Sequence, residues 1–205
     1  MNIQEALKEL RKEEYKRNFD QSIDLIVNLR GIDLKRENVS AIVPIPNKIK
    51  DKKVCAFFNK KSDALTTITP AEFAKYKDKK EVNNLIKEFD FFIAAASLMP
   101  QVATTFGKYL GPAGKMPTPQ LGILPNENEA AIKSLLERID KSFKVRAKEA
   151  SIKLVIAKEN MDDEKIIENI TGAYKAIVDA LPNKKENVKN VMIKLTMGRP
   201  IKLEI

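Results

Sequence analysis

Ser22-Ile23-Asp24-Leu25-Ile26-Val27-Asn28-Leu29 places Ile23, Leu25, Val27 and Leu29 on one face and Ser22, Asp24 and Asn28 on the other. That period of two marks a half-buried strand. Upstream, Ile3, Leu7, Leu10 and Tyr15 fall near one face of a helix predicted from about residue 3 to 17, so the helix has a surface to pack against. Downstream, Ala41 to Ile45 reads as a neighbouring strand. It ends at Pro44-Ile45-Pro46-Asn47, where two prolines forbid a continuing central strand, and a domain boundary is placed there.

Beyond a lysine-rich link the pattern changes. Val54 to Phe58 and Leu65 to Ile68 read as strands, and Thr69-Pro70-Ala71-Glu72 has capping-box spacing, with proline at the first helical position. A helical region follows toward Phe89. Phe91 to Ala96 is a continuous apolar run, as a parallel strand covered on both faces would be, and Ser97 is positioned to cap a helix to about Tyr109. The loop Gly111-Pro-Ala-Gly-Lys-Met-Pro-Thr-Pro119 and a helix from about Asn128 to Ile139 complete an α/β unit. Strand patterns return at Phe143 to Ala147 and Ile152 to Ala157. Asp162, Asp163 and Glu164 then open a helix carrying Ile166, Ile170, Tyr174 and Ile177 at helical spacing, where acids suit the helix dipole. Val191 to Leu195 and Ile201 to Ile205 are the last strands, on either side of Thr196-Met197-Gly198-Arg199-Pro200.

Composition narrows the chemistry. The 205 residues, 43% hydrophobic, suffice for packed cores, and 37 Lys plus Arg against 28 Asp plus Glu give a net charge of +9, which favours a polyanionic partner. No apolar run reaches the roughly 20 residues of a membrane span, and the charged start is unlike a signal peptide, so a soluble cytoplasmic protein is expected. There is no histidine and only one cysteine. General acid–base, metal and disulfide chemistry therefore have few candidates, and Cys55, inside Val54 to Phe58, reads as a small core residue. A nucleotide-binding P-loop is excluded at GPAGKMPTP: Tyr109 stands where its first glycine would fall, and Met116 follows Lys115.

Three motifs in order, RNFDQS at Arg17 to Ser22, GPAGKMPTP and LTMGRP, resemble the signatures of the large-subunit ribosomal protein family known as L-one. The resemblance runs over essentially the whole chain. It implies an α/β (α+β) fold of two domains: a split α/β sandwich RNA-binding domain from residues 1–49 and 142–205, with an inserted Rossmann-like α/β domain at 50–141. It further implies a non-enzymatic constituent of the large subunit with no cofactor, a monomer within the ribosome. The implied partners are the stalk helices of large-subunit rRNA, exit-site tRNA, and the leader or early coding region of its own mRNA, through which translation would be repressed.

Carried over by position, the RNA-binding residues are Phe19, Ser22, Asp24, Thr196, Met197 and Gly198, with Arg17, Lys148, Lys194 and Arg199 supplying phosphate contacts. Each has a physical reason to serve. Phe19 offers a ring to a base or ribose, or alternatively plugs a core. Asp24 can accept from a 2′-hydroxyl or a base amino group. Thr196 offers a donor and an acceptor, Met197 adaptable apolar contact, and Gly198 close backbone approach. Replacing Lys158 is expected to change affinity little. Net charge does not single out a domain, with 22 basic against 17 acidic side chains in the split segments and 15 against 11 in the insertion. Ala113 stands where the family commonly has arginine, which weakens any RNA role for that loop. Asn47-Lys-Ile-Lys replaces the histidine and glycines usual in the link, which suggests a stiffer connection. Arg199 before Pro200 gives the sequence an archaeal and eukaryotic look.

Overall fold

The computed structural model describes all residues except 13–16, 34–38, 62–64, 126–127, 148 and 205. In chain order the elements are α1 (Ile3–Leu10), β1 (Ser22–Leu29), β2 (Ser40–Pro44), β3 (Val54–Phe57), β4 (Thr66–Ile68), α2 (Lys79–Glu88), β5 (Phe91–Ala95), α3 (Met99–Ala113), β6 (Ile123–Leu124), α4 (Glu129–Asp140), β7 (Ser142–Arg146), β8 (Ser151–Lys158), α5 (Asp163–Ala180), β9 (Val188–Leu195) and β10 (Ile201–Leu203). The chain is mixed α/β and forms two compact units, residues 1–49 with 141–205 and residues 50–140.

In the first unit an antiparallel sheet runs β10-β9-β1-β8. The alternating strand β1 is interior: Leu25 pairs with Leu154 on one side and Ile193 on the other, and Val27 with Ile152 and Val191. These residues are buried in one cluster with Leu7 and Leu10 of α1 and Ile166, Ile170, Tyr174 and Ile177 of α5. Each fully buried aliphatic side chain contributes about 1.5–3 kcal/mol. Helix α1 opens on a capping box, in which Asn2 Oδ1 accepts from the Ile3 N–H (2.7 Å) while the Asn2 N–H donates to Glu5 (3.2 Å). It ends at Leu10 and not at 17, and Tyr15, expected on its apolar face, lies outside the described residues. Arg11 then binds the Met161 carbonyl (2.9 Å) and Asp163 (2.6 Å), tying the end of α1 to the start of α5.

Ser40–Pro44 does not pair with β1, as its sequence position suggested. It joins β7 in a separate two-stranded antiparallel sheet, with Ala41 opposite Val145 and Val43 opposite Phe143. Both sides of β1 are taken by strands from the far end of the chain, and Pro44 suits only the margin of a sheet. Past Pro46 the chain is held by Asn169, a fully buried amide on α5. Its Oδ1 accepts from the Asn47 N–H (3.0 Å), and its Nδ2 donates to the carbonyls of Asn47 (3.1 Å) and Ile156 (2.8 Å).

The second unit is a parallel sheet in the order β4-β3-β5-β6. Every residue of β3 is buried, as parallel strands covered on both faces require. Phe57 packs against Phe73, Phe92 and Phe106 with ring centroids 5.0–5.9 Å apart. Buried apolar faces come from α2 (Val82, Leu85), α3 (Val102, Phe106, Leu110) and α4 (Ile132, Leu135, Ile139).

Three local expectations are overturned in this unit. The Thr69–Glu72 capping box forms but opens a 3₁₀ helix, Pro70–Lys77, ahead of α2. Ser97 does not cap α3; it lies in a 3₁₀ turn and its hydroxyl accepts from Asn59 (3.5 Å). Helix α3 runs through Pro112 to Ala113 and stops at Gly114, whose φ of 73° is the left-handed C-cap conformation. Half of GPAGKMPTP is therefore helix and cap.

Candidate nucleic-acid interface

The turn after β9 is stitched to the start of β1. The Ser22 N–H donates to Thr196 Oγ1 (3.0 Å), the Thr196 N–H donates to the Ser22 carbonyl (3.1 Å), and the Thr196 hydroxyl reaches the same carbonyl (3.3 Å). The hydroxyl hydrogen expected to serve a ribose is thus already engaged within the protein, and Thr196 keeps one lone pair for an incoming donor. The Gly198 N–H closes the turn on the Leu195 carbonyl (3.0 Å). A Cβ on Gly198 would stand 3.2 Å from Leu195 Cβ. A side chain at this position would press on the buried leucine, which adds a packing reason for glycine to the expected one.

Beneath the turn lies a residue that sequence reasoning missed. Gln21 is fully buried. Its Oε1 accepts from the Met197 N–H (3.3 Å), its Nε2 donates to Glu159 (3.3 Å), and its carbonyl accepts from the Glu159 N–H (2.8 Å). The signal was present in the sequence: Gln21 shares the parity of Ile23 and Leu25, so a polar side chain was bound to point inward and need partners. Two apolar side chains beside it face outward. Met197 is 63% exposed and Phe19 is 52% exposed. Phe19 is therefore not a core plug.

Asp24 pairs across the strands with Lys194. Burial pushes its carboxyl above the ordinary aspartate range, and the Lys194 ammonium only partly opposes this. Asp20, beside Phe19, binds Lys158 at 2.9 Å, and Lys158 stands opposite Ser22 in the β1–β8 ladder. Lys158 therefore belongs to the margin of this surface. Arg17 and Arg199 are exposed at its edges. Lys148 lies outside the described residues.

Elsewhere, candidate groups have structural work. Lys115 Nζ donates to the Ile86 and Phe89 carbonyls, each at 2.7 Å, and so caps the C-terminal end of α2. Asp162 is paired with Lys165 and Asp163 with Arg11. Among the described residues no His, Cys, Asp and Glu cluster is arranged to hold a metal ion, and no helix is long and apolar enough to cross a membrane.

An α/β unit built from both ends of the chain, with a second inserted between them and a stitched turn exposing apolar and polar groups together, defines a class of split, two-unit α/β protein. The chain belongs to the ribosomal protein L1p/L10e family, whose sequence profile matches residues 10–199. It is 37% identical to the large ribosomal subunit protein uL1 of Thermofilum pendens over 98% of this chain and 92% of that one. It is likewise 37% identical to uL1 of Methanothermococcus thermolithotrophicus (99% and 98%) and 33% identical to that of Thermococcus kodakarensis (98% and 95%). These are archaeal proteins, in keeping with the reading of TMGRP. As a member of this family the chain is a ribosomal protein of structural role and not an enzyme.

Proposed function

We propose that the chain is a constituent of the large ribosomal subunit in the cytoplasm, where residues 1–49 with 142–205 bind large-subunit rRNA directly and hold the mobile stalk. The turn at Thr196 to Arg199, with Phe19, Ser22 and Asp24 beside it, is the recognition surface. The observation that carries this reading is the burial of Gln21 under Met197, which holds a flexible apolar side chain in solvent at a rigid position. Exposed apolar contact next to hydrogen-bonding groups suits unstacked bases and riboses. Lys194, Arg199, Arg17 and Lys148 supply phosphate attraction.

Two finer roles belong to the same proposal. Movement of the stalk assists release of exit-site tRNA, and free protein represses translation by binding a copy of the rRNA site on its own mRNA. Both would use the surface described above.

The test is binding of the purified chain to the isolated stalk fragment of large-subunit rRNA against a scrambled duplex, at two salt concentrations. Tight, salt-tolerant preference for the stalk fragment is the expected result. Equal and salt-labile binding to both would reduce the protein to a general polycation.

A further inference from the structure

The sheet β10-β9-β1-β8 has a second face, turned away from α1 and α5. Strand register lays it out in rows. Nearest the turn, Lys194, Asp24 and Val155 stand side by side; in the next row, Lys202, Met192, Ile26 and Lys153 cross all four strands. Rows two residues apart are separated by about 6.7 Å, and four strands span about 14 Å. The second row therefore begins one nucleotide-sized step beyond Asp24. Lys153 and Lys202, at its two ends, are exposed, while Ile26 and Met192 between them are half-buried. A third row carries an amide pair, with Asn28 Nδ2 donating to Asn190 Oδ1 at 2.6 Å.

Two features make this face unlike an ordinary solvated sheet. Its first two rows hold three lysines and a single acid, Asp24. Glu149 approaches Lys153 at 3.8 Å, but both side chains are largely exposed, so the pair binds weakly and leaves the cation available. Between the end lysines lies a half-buried apolar pair, Ile26 and Met192. Cations on either side of an apolar strip match a phosphate–sugar–phosphate repeat. A peptide that adds to a sheet would use an open strand edge, which here is β8 or β10, and not this face, where the main-chain groups of β1 and β9 already pair on both sides.

We infer that the RNA interface continues from the turn down the open face of the sheet, with Lys153 and Lys202 contacting phosphates on either side of the Ile26–Met192 pair. The inference rests on the proposed RNA-binding role and adds a second set of contacts to it. Those contacts are electrostatic, and they fix the direction in which the RNA leaves the turn.

The experiment measures affinity of the full chain for the stalk fragment over a range of salt, comparing wild type, the double variant Lys153→Gln with Lys202→Gln, and a control pair, Lys8→Gln with Lys175→Gln. Lys8 and Lys175 are exposed on α1 and α5, on the helical side. Removing one lysine–phosphate pair lowers the slope of log affinity against log salt by about 0.7–0.9. The expected result is a slope lower by roughly 1.5 in the sheet-face variant and little changed in the control. An unchanged slope in the sheet-face variant, or an equal fall in both, overturns the inference. A sheet-face variant that keeps the wild-type slope but loses binding to poly-glutamate assigns the face to acidic protein segments and overturns it as well. Failure of wild type to prefer the stalk fragment would instead remove the parent reading, so the two failures are told apart.

Discussion

Thr196 and Ser22 hold each other by three contacts just beyond the first rung of the β1–β9 ladder, Ile23–Leu195, one between main chains and two through the Thr196 hydroxyl. One side chain thereby fixes where β9 ends and the turn begins.

Thr196→Val removes both hydroxyl contacts and leaves the Ser22 N–H without its partner. Stability to urea falls by about 1–2 kcal/mol, and affinity for the stalk fragment falls selectively, by about 1–3 kcal/mol where a buried hydrogen bond to RNA also disappears. Thr196→Ser keeps the oxygen and restores most of both. Equal weakening on cognate and scrambled RNA would contradict the recognition role.

Gln21→Leu replaces a buried amide by an apolar group of similar size, and Glu159 and the Met197 N–H are each deprived of a partner. We expect a stability decrease of about 1–3 kcal/mol by chemical denaturation. Loosening of the turn appears as faster amide exchange at Met197 and Gly198, read by NMR.

Asp24→Asn tests the half-buried carboxylate through pH. In wild type the folded-state pKa lies above the unfolded value because of burial. Ionisation therefore destabilises the fold above the folded pKa, and stability rises as pH falls through it toward the ordinary aspartate value. The Asn variant is accordingly more stable than wild type at pH 7, and the gap closes on acidification. Denaturation at pH 7 and pH 4 measures it, and a gap that widened at pH 4 would contradict the sign.

Lys115→Met removes two charge-assisted bonds to the end of α2. Stability falls by about 2–4 kcal/mol while stalk-fragment affinity stays at wild type. A variant that folds normally yet binds RNA less tightly would show that this lysine also contacts RNA.

Cys55 is fully buried, and burial first, with the Glu88 carboxylate second, pushes its thiol up to about 12. A disulfide reagent at pH 8 reacts with it only as fast as the inserted unit opens. Prompt reaction in the native protein would show that the strand is less enclosed than described.

Much of this architecture was legible because single strands carry their own periodicity. Ser22 to Leu29 alternates except at Ile26, and Phe91 to Ala95 is apolar throughout, so fold class and most elements followed from local pattern. Pairing did not. Ala41 to Val43 looks like a partner for β1, yet β1 is filled on both sides by strands more than a hundred positions away, and nothing in a short segment announces competition of that kind. Around the turn, the motif drew attention to Thr196 and Met197, whereas Gln21, which holds them, could be found only by asking where a polar residue of inward parity finds its partners. Lys115 shows the same limit. Nothing in its sequence neighbourhood named its partner, and only the approach of the α2 terminus supplied it.

The placement of β1 between β8 and β9 also orders events during synthesis. The inserted unit is covalently complete once residue 140 has emerged, and its parallel sheet can form then. Its host must wait: β1 gains its neighbours only when β8 and β9, made more than a hundred residues after it, follow. Until then the alternating strand and the amphipathic helix before it expose their apolar faces, the condition in which nascent chains need shielding. Because the turn that joins Thr196 to Ser22 is made 174 residues after that serine, a growing chain presents the assembled surface only once the turn has emerged, however early its first strand was ready.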